Sequence, residues 1–337
     1  MYFMIDLDTI ESIKSPCMTI GLRKKGEKYP SEIQGTGFCI DPDGFVLTAK
    51  HVIDGIKHRI GVLATKMLEE EGLYKKDLSE EELLIYEKKF ESYKTIYEIT
   101  ATFTEIKDNS IRMTTTSISE RRSIFLQIDG LDDYLPKEHD VTICRIYGEW
   151  GDLPYLKLKP PAKLDVYSDV FICGFPRGLG TFNPFDVRSG KRFSPIIQTG
   201  KISSLMPSDK SSKPFGLFTD VIGVGGSSGS PIIDARTNEV LGIAQNIVGA
   251  NVFDKVLEPI GTAGIGVIWG VTMYFLYGPL LKMIEAMKKV TTKKGEPLLG
   301  KDDAIKLTMT VGESLSPKVM GYEIVKKSDI PGYVENS

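Results

Sequence analysis

Residues 223–231 read GVGGSSGSP, a glycine-rich turn carrying Ser227, Ser228 and Ser230. A phosphate cradle would need G-x-x-x-x-G-K-[ST], or G-x-G-x-x-G opening a helix, and neither spacing is present. Gly225-Gly226-Ser227-Ser228-Gly229 does match a G-x-S-x-G nucleophile turn, whose partners follow in the order serine, acid, histidine. All three histidines, His51, His58 and His139, precede the turn, so no base remains downstream. What remains is the order histidine, acid, serine, in which an imidazole takes the serine proton and a carboxylate orients the imidazole. His51 follows the apolar run FVLTA, Asp140 opens the run VTICRI, and Ser228 sits in GGSSGSP. Asp132 and Asp133 are alternative acids, but they lack the apolar strand that follows Asp140. His58 lies in a charged stretch and reads as a surface residue, and His139 as a loop neighbour of Asp140. No His/Cys/Asp group has ligand spacing such as HExxH, so neither metal nor cofactor is expected.

Residues 89 positions apart meet only if a fold brings them together. Most of the 337 residues form short β-branched and aromatic runs between Gly, Pro, Asn and Asp, which predicts an all-β barrel or sandwich. Such runs are MTIGL (18–22), FVLTA (45–49), VTICRI (141–146), VFICGF (170–175), SPIIDA (230–235) and EVLGIAQNIV (239–248). Two segments depart from the pattern. Residues 65–97 are rich in Glu and Lys, and Leu83, Tyr86, Phe90, Tyr93 and Tyr97 recur at helical spacing, predicting a helix or helix pair packed on the barrel. Residues 272–290 predict a second helix. In the tail, IKLTMTV and VMGYEIV alternate and could pair as a hairpin.

Lys and Arg total 42 against 45 Asp and Glu, a net charge of −3, so no global basic field recruits nucleic acid. Cys17, Cys39, Cys144 and Cys173 each sit in an apolar stretch and none forms a Cys-x-x-Cys pair, which predicts reduced core thiols. The opening MYFMIDLDTIESIKS lacks a basic start followed by an apolar run, so a cytoplasmic location is expected. Ile260–Leu281 holds no charge over 22 residues, long enough for a membrane span, but its five glycines and Pro279 suit strand, turn and helix better.

GTGFCIDPDGFVLTAKHVIDG (35–55) resembles the histidine block of trypsin-like, chymotrypsin-fold serine proteases, especially their Deg-type branch. DVTICRI resembles their aspartate block and GSSGSPIID their G-x-S-G-x-P serine block; VFICGFPRGLG and IIQTGKISS are similar to the strands between the last two, and EVLGIAQNIVG to the strand after the serine. The likeness spans about 18–285, interrupted at 56–130. It implies two six-stranded antiparallel β-barrels with a helical insertion and a C-terminal helix: a protease domain over 1–290, with the insertion at about 65–97, then an extension over 291–337. It also implies His51 as general base, Asp140 as orienting acid, Ser228 as nucleophile, and the amides of Gly226 and Ser228 as oxyanion hole. The pocket for the side chain before the scissile bond would have Ile222 at its base and Ala244, Gln245 and Asn246 on its wall, which predicts an apolar preference.

Two positions depart from the family. Ser227 stands where Asp or Asn is usual, so activation by a freshly cut N-terminus is not expected, and Val52 replaces the usual disulfide cysteine. The residues after Val290 are expected to be too few for a peptide-binding PDZ domain. The implied activity is a serine endopeptidase acting on protein or peptide substrates; the alternative is a catalytically silent protease-fold protein that binds peptides or serves as a scaffold.

Overall fold

The apolar runs close into two barrels in a computed structural model of the chain, which describes residues 6–107, 110–124, 140–146, 153–176, 194–206, 214–223, 225–253, 259–290, 292 and 298. A short helix α1 (Leu7–Lys14) leads into β1 (Cys17–Lys24), β2 (Glu32–Asp41) and β3 (Phe45–Ala49). Two helices follow, α2 (Lys50–Glu70) and α3 (Glu80–Lys94), and then β4 (Tyr97–Lys107), β5 (Ser110–Ile124) and β6 (Val141–Ile146). The second half contains β7 (Asp169–Gly174), β8 (Ile196–Met206), β9 (Gly216–Gly223), β10 (Pro231–Asp234), β11 (Val240–Phe253), β12 (Pro259–Thr272) and α4 (Met273–Val290). The strand order is β1-β2-β3-β6-β5-β4 in the first closed barrel and β10-β11-β12-β9-β8-β7 in the second.

Successive side chains of a strand face opposite ways, so a strand buried on both faces reads as a continuous apolar run. β3 is such a strand. Phe45 and Leu47 pack with Ile143 of β6, Phe171 and Ile233 of the second barrel, and Leu276 and Leu280 of α4. Val46 faces the other way, into the interior of the first barrel, and together with Ala49 at the strand's end it joins the cluster of Ile20, Cys144 and Ile146. The first of these clusters runs through both barrels and α4 and holds the barrels together, each fully buried aliphatic or aromatic side chain contributing about 1.5–3 kcal/mol. Lys288 on α4 adds ion pairs to Asp41 (2.8 Å) and Asp43 (3.1 Å) at the β2–β3 turn.

The departures from the β pattern fall in the expected places with different limits. The first helix starts at Lys50, directly after β3, well before residue 65, because Val52, Ile53, Ile56 and Ile60 form an i, i+3, i+4 stripe that packs into the first barrel's core. The aromatic stripe packs chiefly on α2, with Phe90 facing Gly61 and stacked on Tyr86 at 6.3 Å between ring centroids. A capping box at Ser79 and Glu82 starts α3. Residues 97–107 and 110–124 belong to the barrel: β4 and β5 pair from Thr100↔Ser117 to Lys107↔Ser110 and close it. The uncharged stretch from Ile260 divides into β12 and α4, and no described helix is long and apolar enough to cross a membrane. The tail hairpin lies outside the described residues. All four cysteines are buried, and loss of hydration pushes the Cys39 thiol up to about 12.

The segment joining the barrels is strapped to the second one. Lys159 donates its amide to the Val240 carbonyl (2.9 Å) and its ammonium to the buried Asp234 carboxylate. Burial works to raise the Asp234 pKa, but the Lys159 ammonium and the Arg236 amide hold it below the usual carboxylate value. A depressed carboxyl stabilises the fold above its unfolded pKa and loses that contribution as pH falls through the lower folded value. Lys159→Met is therefore expected to lower stability by about 2 kcal/mol at neutral pH, with the gap to wild type narrowing below roughly pH 4. Urea unfolding at the two pH values measures it; a gap that widens in acid would contradict the pairing.

Candidate active site

The site forms where the ends of β3 and β6 meet the β9–β10 loop. Ala49 pairs with Val141 in the β3–β6 register, which places Lys50 and His51 beside Asp140 despite the 89-residue interval. Asp140 meets the first turn of α2, whose amides have no carbonyl acceptors within the helix. Its backbone carbonyl accepts the Lys50 amide (3.0 Å) and its Oδ1 accepts the His51 amide (2.6 Å). The second carboxylate oxygen, Oδ2, contacts His51 Nδ1. A carboxylate can only accept, so Nδ1 donates and Nε2 is left as the acceptor. One carboxylate thus anchors the helix start and sets the imidazole tautomer.

The serine loop turns on two left-handed glycines, Gly226 (φ +94°) and Gly229 (φ +83°). Its carbonyls are tied down in sequence: Gly226 O accepts from Thr36 Oγ1 (3.0 Å), Ser227 O from the Ser230 amide (3.0 Å), and Ser228 O from the Thr36 amide (2.9 Å). The Gly229 amide donates to the Ala244 carbonyl (2.7 Å), which seats the loop on β11. Among the described residues, the amides of Gly226 and Ser228 donate to no acceptor. Ser228 Oγ donates to the Gln245 carbonyl (2.9 Å), so a transfer to His51 requires the hydroxyl to turn about its χ1.

His51, Asp140 and Ser228 therefore lie on neighbouring elements, with His51 exposed and Ser228 half-buried. His58 is exposed on α2, as expected for a surface residue; Asp132, Asp133 and His139 fall outside the described residues. Ile222, expected at the pocket base, ends β9 with 59% of its surface exposed, and its carbonyl accepts from Gln198 Nε2 (3.0 Å). Ala244 and Gln245 are buried in β11, and the Gln245 amide group has no hydrogen-bond partner among the described residues. Asn246 opposes Trp269 across a bulge in the β11–β12 ladder, and its side chain is outside the described residues. The Ser227 hydroxyl is buried and, among the described residues, also unpartnered. Sequence reasoning gave no role to Thr36, whose available signal was its place between the two glycines of GTGFC.

Two closed six-stranded antiparallel barrels with the site at their junction make this a chymotrypsin-fold protein. The chain belongs to the trypsin-like peptidase domain family, whose model matches residues 35–243, and it is a serine peptidase. No curated protein matches it in sequence. Among solved structures it is similar to the HtrA-type protease AlgW with a decapeptide, at TM-score 0.45 and 14% identity over 83% of this chain and 68% of that one. It is also similar to Deg5, at TM-score 0.41 and 16% identity over 71% of this chain and 83% of that one.

Proposed function

We propose that the chain is a serine endopeptidase working through His51, Asp140 and Ser228. The observation that carries this reading is the His51–Asp140 contact at the barrel edge to which the Ser228 loop is bonded. In the reaction, Ser228 Oγ turns from Gln245 to His51 Nε2, gives up its proton there and attacks the scissile carbonyl carbon. The carbonyl oxygen takes the displaced electron pair and accepts from the amides of Gly226 and Ser228. The tetrahedral intermediate collapses, the C–N bond breaks, and His51 passes its proton to the leaving amine. Water, deprotonated by His51, then attacks the acyl carbon; the bond from that carbon to Ser228 Oγ breaks, His51 returns its proton to Oγ, and the acid leaves. Asp140 holds the imidazole in the required tautomer and stabilises its cation.

The substrate is a peptide or protein with an apolar residue before the scissile bond, received by Ile222, Ala244, Gln245 and Asn246. No Asp, Glu, Lys, Arg or His stands among these four, and burying an unpaired charge beside them would be costly. The GTGFC and GSSGSP blocks favour a Deg-type enzyme within the family.

A fluorophosphonate probe tests the proposal, since it phosphonylates only a serine activated by a neighbouring base. Full-length protein is expected to label at Ser228 and to cleave a peptide library after Val, Ala, Leu or Met. Folded protein that neither labels nor cleaves would make the fold a silent scaffold, and cleavage after charged residues would refute the pocket alone.

A further inference from the structure

We infer that Thr36 is a positioning residue for the oxyanion hole, an inference that rests on the triad reading above. Thr36 lies on β2 of the first barrel, is fully buried, and supplies no reacting group. Outside the strand ladders, among the described residues, it makes four hydrogen bonds. Its hydroxyl donates to Gly226 O (3.0 Å) and accepts from the Phe175 amide (3.0 Å). Its amide donates to Ser228 O (2.9 Å), and its carbonyl accepts from Thr48 Oγ1 (2.7 Å), three residues before His51. Three of these partners come from the second barrel and one from the strand that leads to the base, so one residue sets the loop's position relative to the histidine.

The geometry of a peptide unit explains why this matters. In a trans peptide the C=O of one residue and the N–H of the next point opposite ways, so bonds that hold the Gly226 and Ser228 carbonyls fix the peptide units on either side of the one that carries the Ser228 amide. Gly225 and Gly226 have no side chains to restrict them, and Gly225 is exposed with nothing near its Cβ position. Without the Thr36 anchor the Gly226–Ser227 unit turns at little cost, and the Gly226 and Ser228 amides, on the units before and after it, lose their alignment. Among the described residues, Thr36 is the only one whose side chain, from outside the loop, bonds the backbone of residues 225–229. The fold also keeps space for that hydroxyl: a Cβ on Gly174 would lie 3.0 Å from Thr36 Oγ1 and 2.1 Å from Ser230 Oγ.

The test compares Thr36→Val, which keeps the shape and removes the hydroxyl, with Thr36→Ser, which keeps the hydroxyl. Deleting an oxyanion donor outright costs about 100-fold to 1,000-fold in kcat, so partly misaligning one is expected to cost Thr36→Val about 10-fold to 100-fold, with KM within about threefold. Affinity for a peptide aldehyde, whose adduct places an oxyanion in the hole, should fall in parallel, while affinity for the cleaved product peptide stays constant. Thr36→Ser should recover kcat to within about threefold of wild type. If Thr36→Val does not fold, Thr36→Ala carries the same expectation.

Wild-type kcat in the valine or alanine variant overturns the inference. So does an equal loss in the serine variant, which would assign the effect to methyl packing, or a fall in product-peptide affinity matching the fall in kcat. An inert, unlabelled wild type would sink the triad reading first and this inference with it.

Discussion

Ser228→Ala is expected to lower kcat/KM by about 10⁴-fold or more and to abolish fluorophosphonate labelling, while Tm stays within about 2 °C of wild type. The activity loss follows from removing the only atom that forms the acyl bond. The small stability change follows from the structure, because the hydroxyl makes a single hydrogen bond, to the Gln245 carbonyl, on a half-buried loop. Ser227→Ala is the matched control. Its hydroxyl is buried with no partner among the described residues, so its removal costs none of their hydrogen bonds and measurable turnover should remain. If the two phenotypes were exchanged, the nucleophile would be Ser227, and the proton path from His51 would have to be redrawn.

Gly229→Ala should be the most damaging single-methyl addition at the site. Gly229 has φ +83°, a conformation that costs a residue with a Cβ about 1–2 kcal/mol. The new Cβ would also stand 2.1 Å from the Thr36 carbonyl oxygen, 2.5 Å from Thr48 Oγ1 and 3.0 Å from the Ala49 amide. The first and last of these are backbone atoms of buried strands and cannot move aside independently. The two costs together should exceed about 3 kcal/mol, and the loop can escape only by leaving its seat against β2 and β3. The expected result is a protein that unfolds at markedly lower urea concentration, does not react with fluorophosphonate and does not cleave peptides. Gly225→Ala provides the contrast, because, chain neighbours aside, no atom of the described residues lies within 4 Å of its Cβ position; its stability should stay within about 0.5 kcal/mol of wild type. Similar behaviour of the two variants would show that loop conformation is not what the site depends on.

Both predictions turn on a division visible throughout the chain. The strands β3 and β6 are readable from the sequence, because burial on both faces writes a mostly apolar run, and the family blocks around His51, Asp140 and Ser228 are local strings. The strands β4 and β5 do not stand out in the sequence, since ITATFTEI and SIRMTTTSIS are rich in Thr and Ser and follow a charged helical insertion, and only closure of the barrel makes them necessary. The start of α2 at Lys50 was hidden for a related reason: its apolar stripe is aimed at a core contributed by distant strands.

By itself, the sequence determined the all-β class, the order histidine, acid, serine, and the glycines that let a serine turn form. These follow from side-chain type and short-range periodicity, which are complete within a few residues. Only the tertiary structure decided that Ala49 faces Val141, that Thr36 reaches across the barrel junction to Gly226 and Ser228, and that the Ser228 hydroxyl rests on Gln245. Each of these depends on strand register and on the docking of one barrel against the other. Both are set by the summed packing of many distant side chains, and no local stretch of the chain encodes that sum.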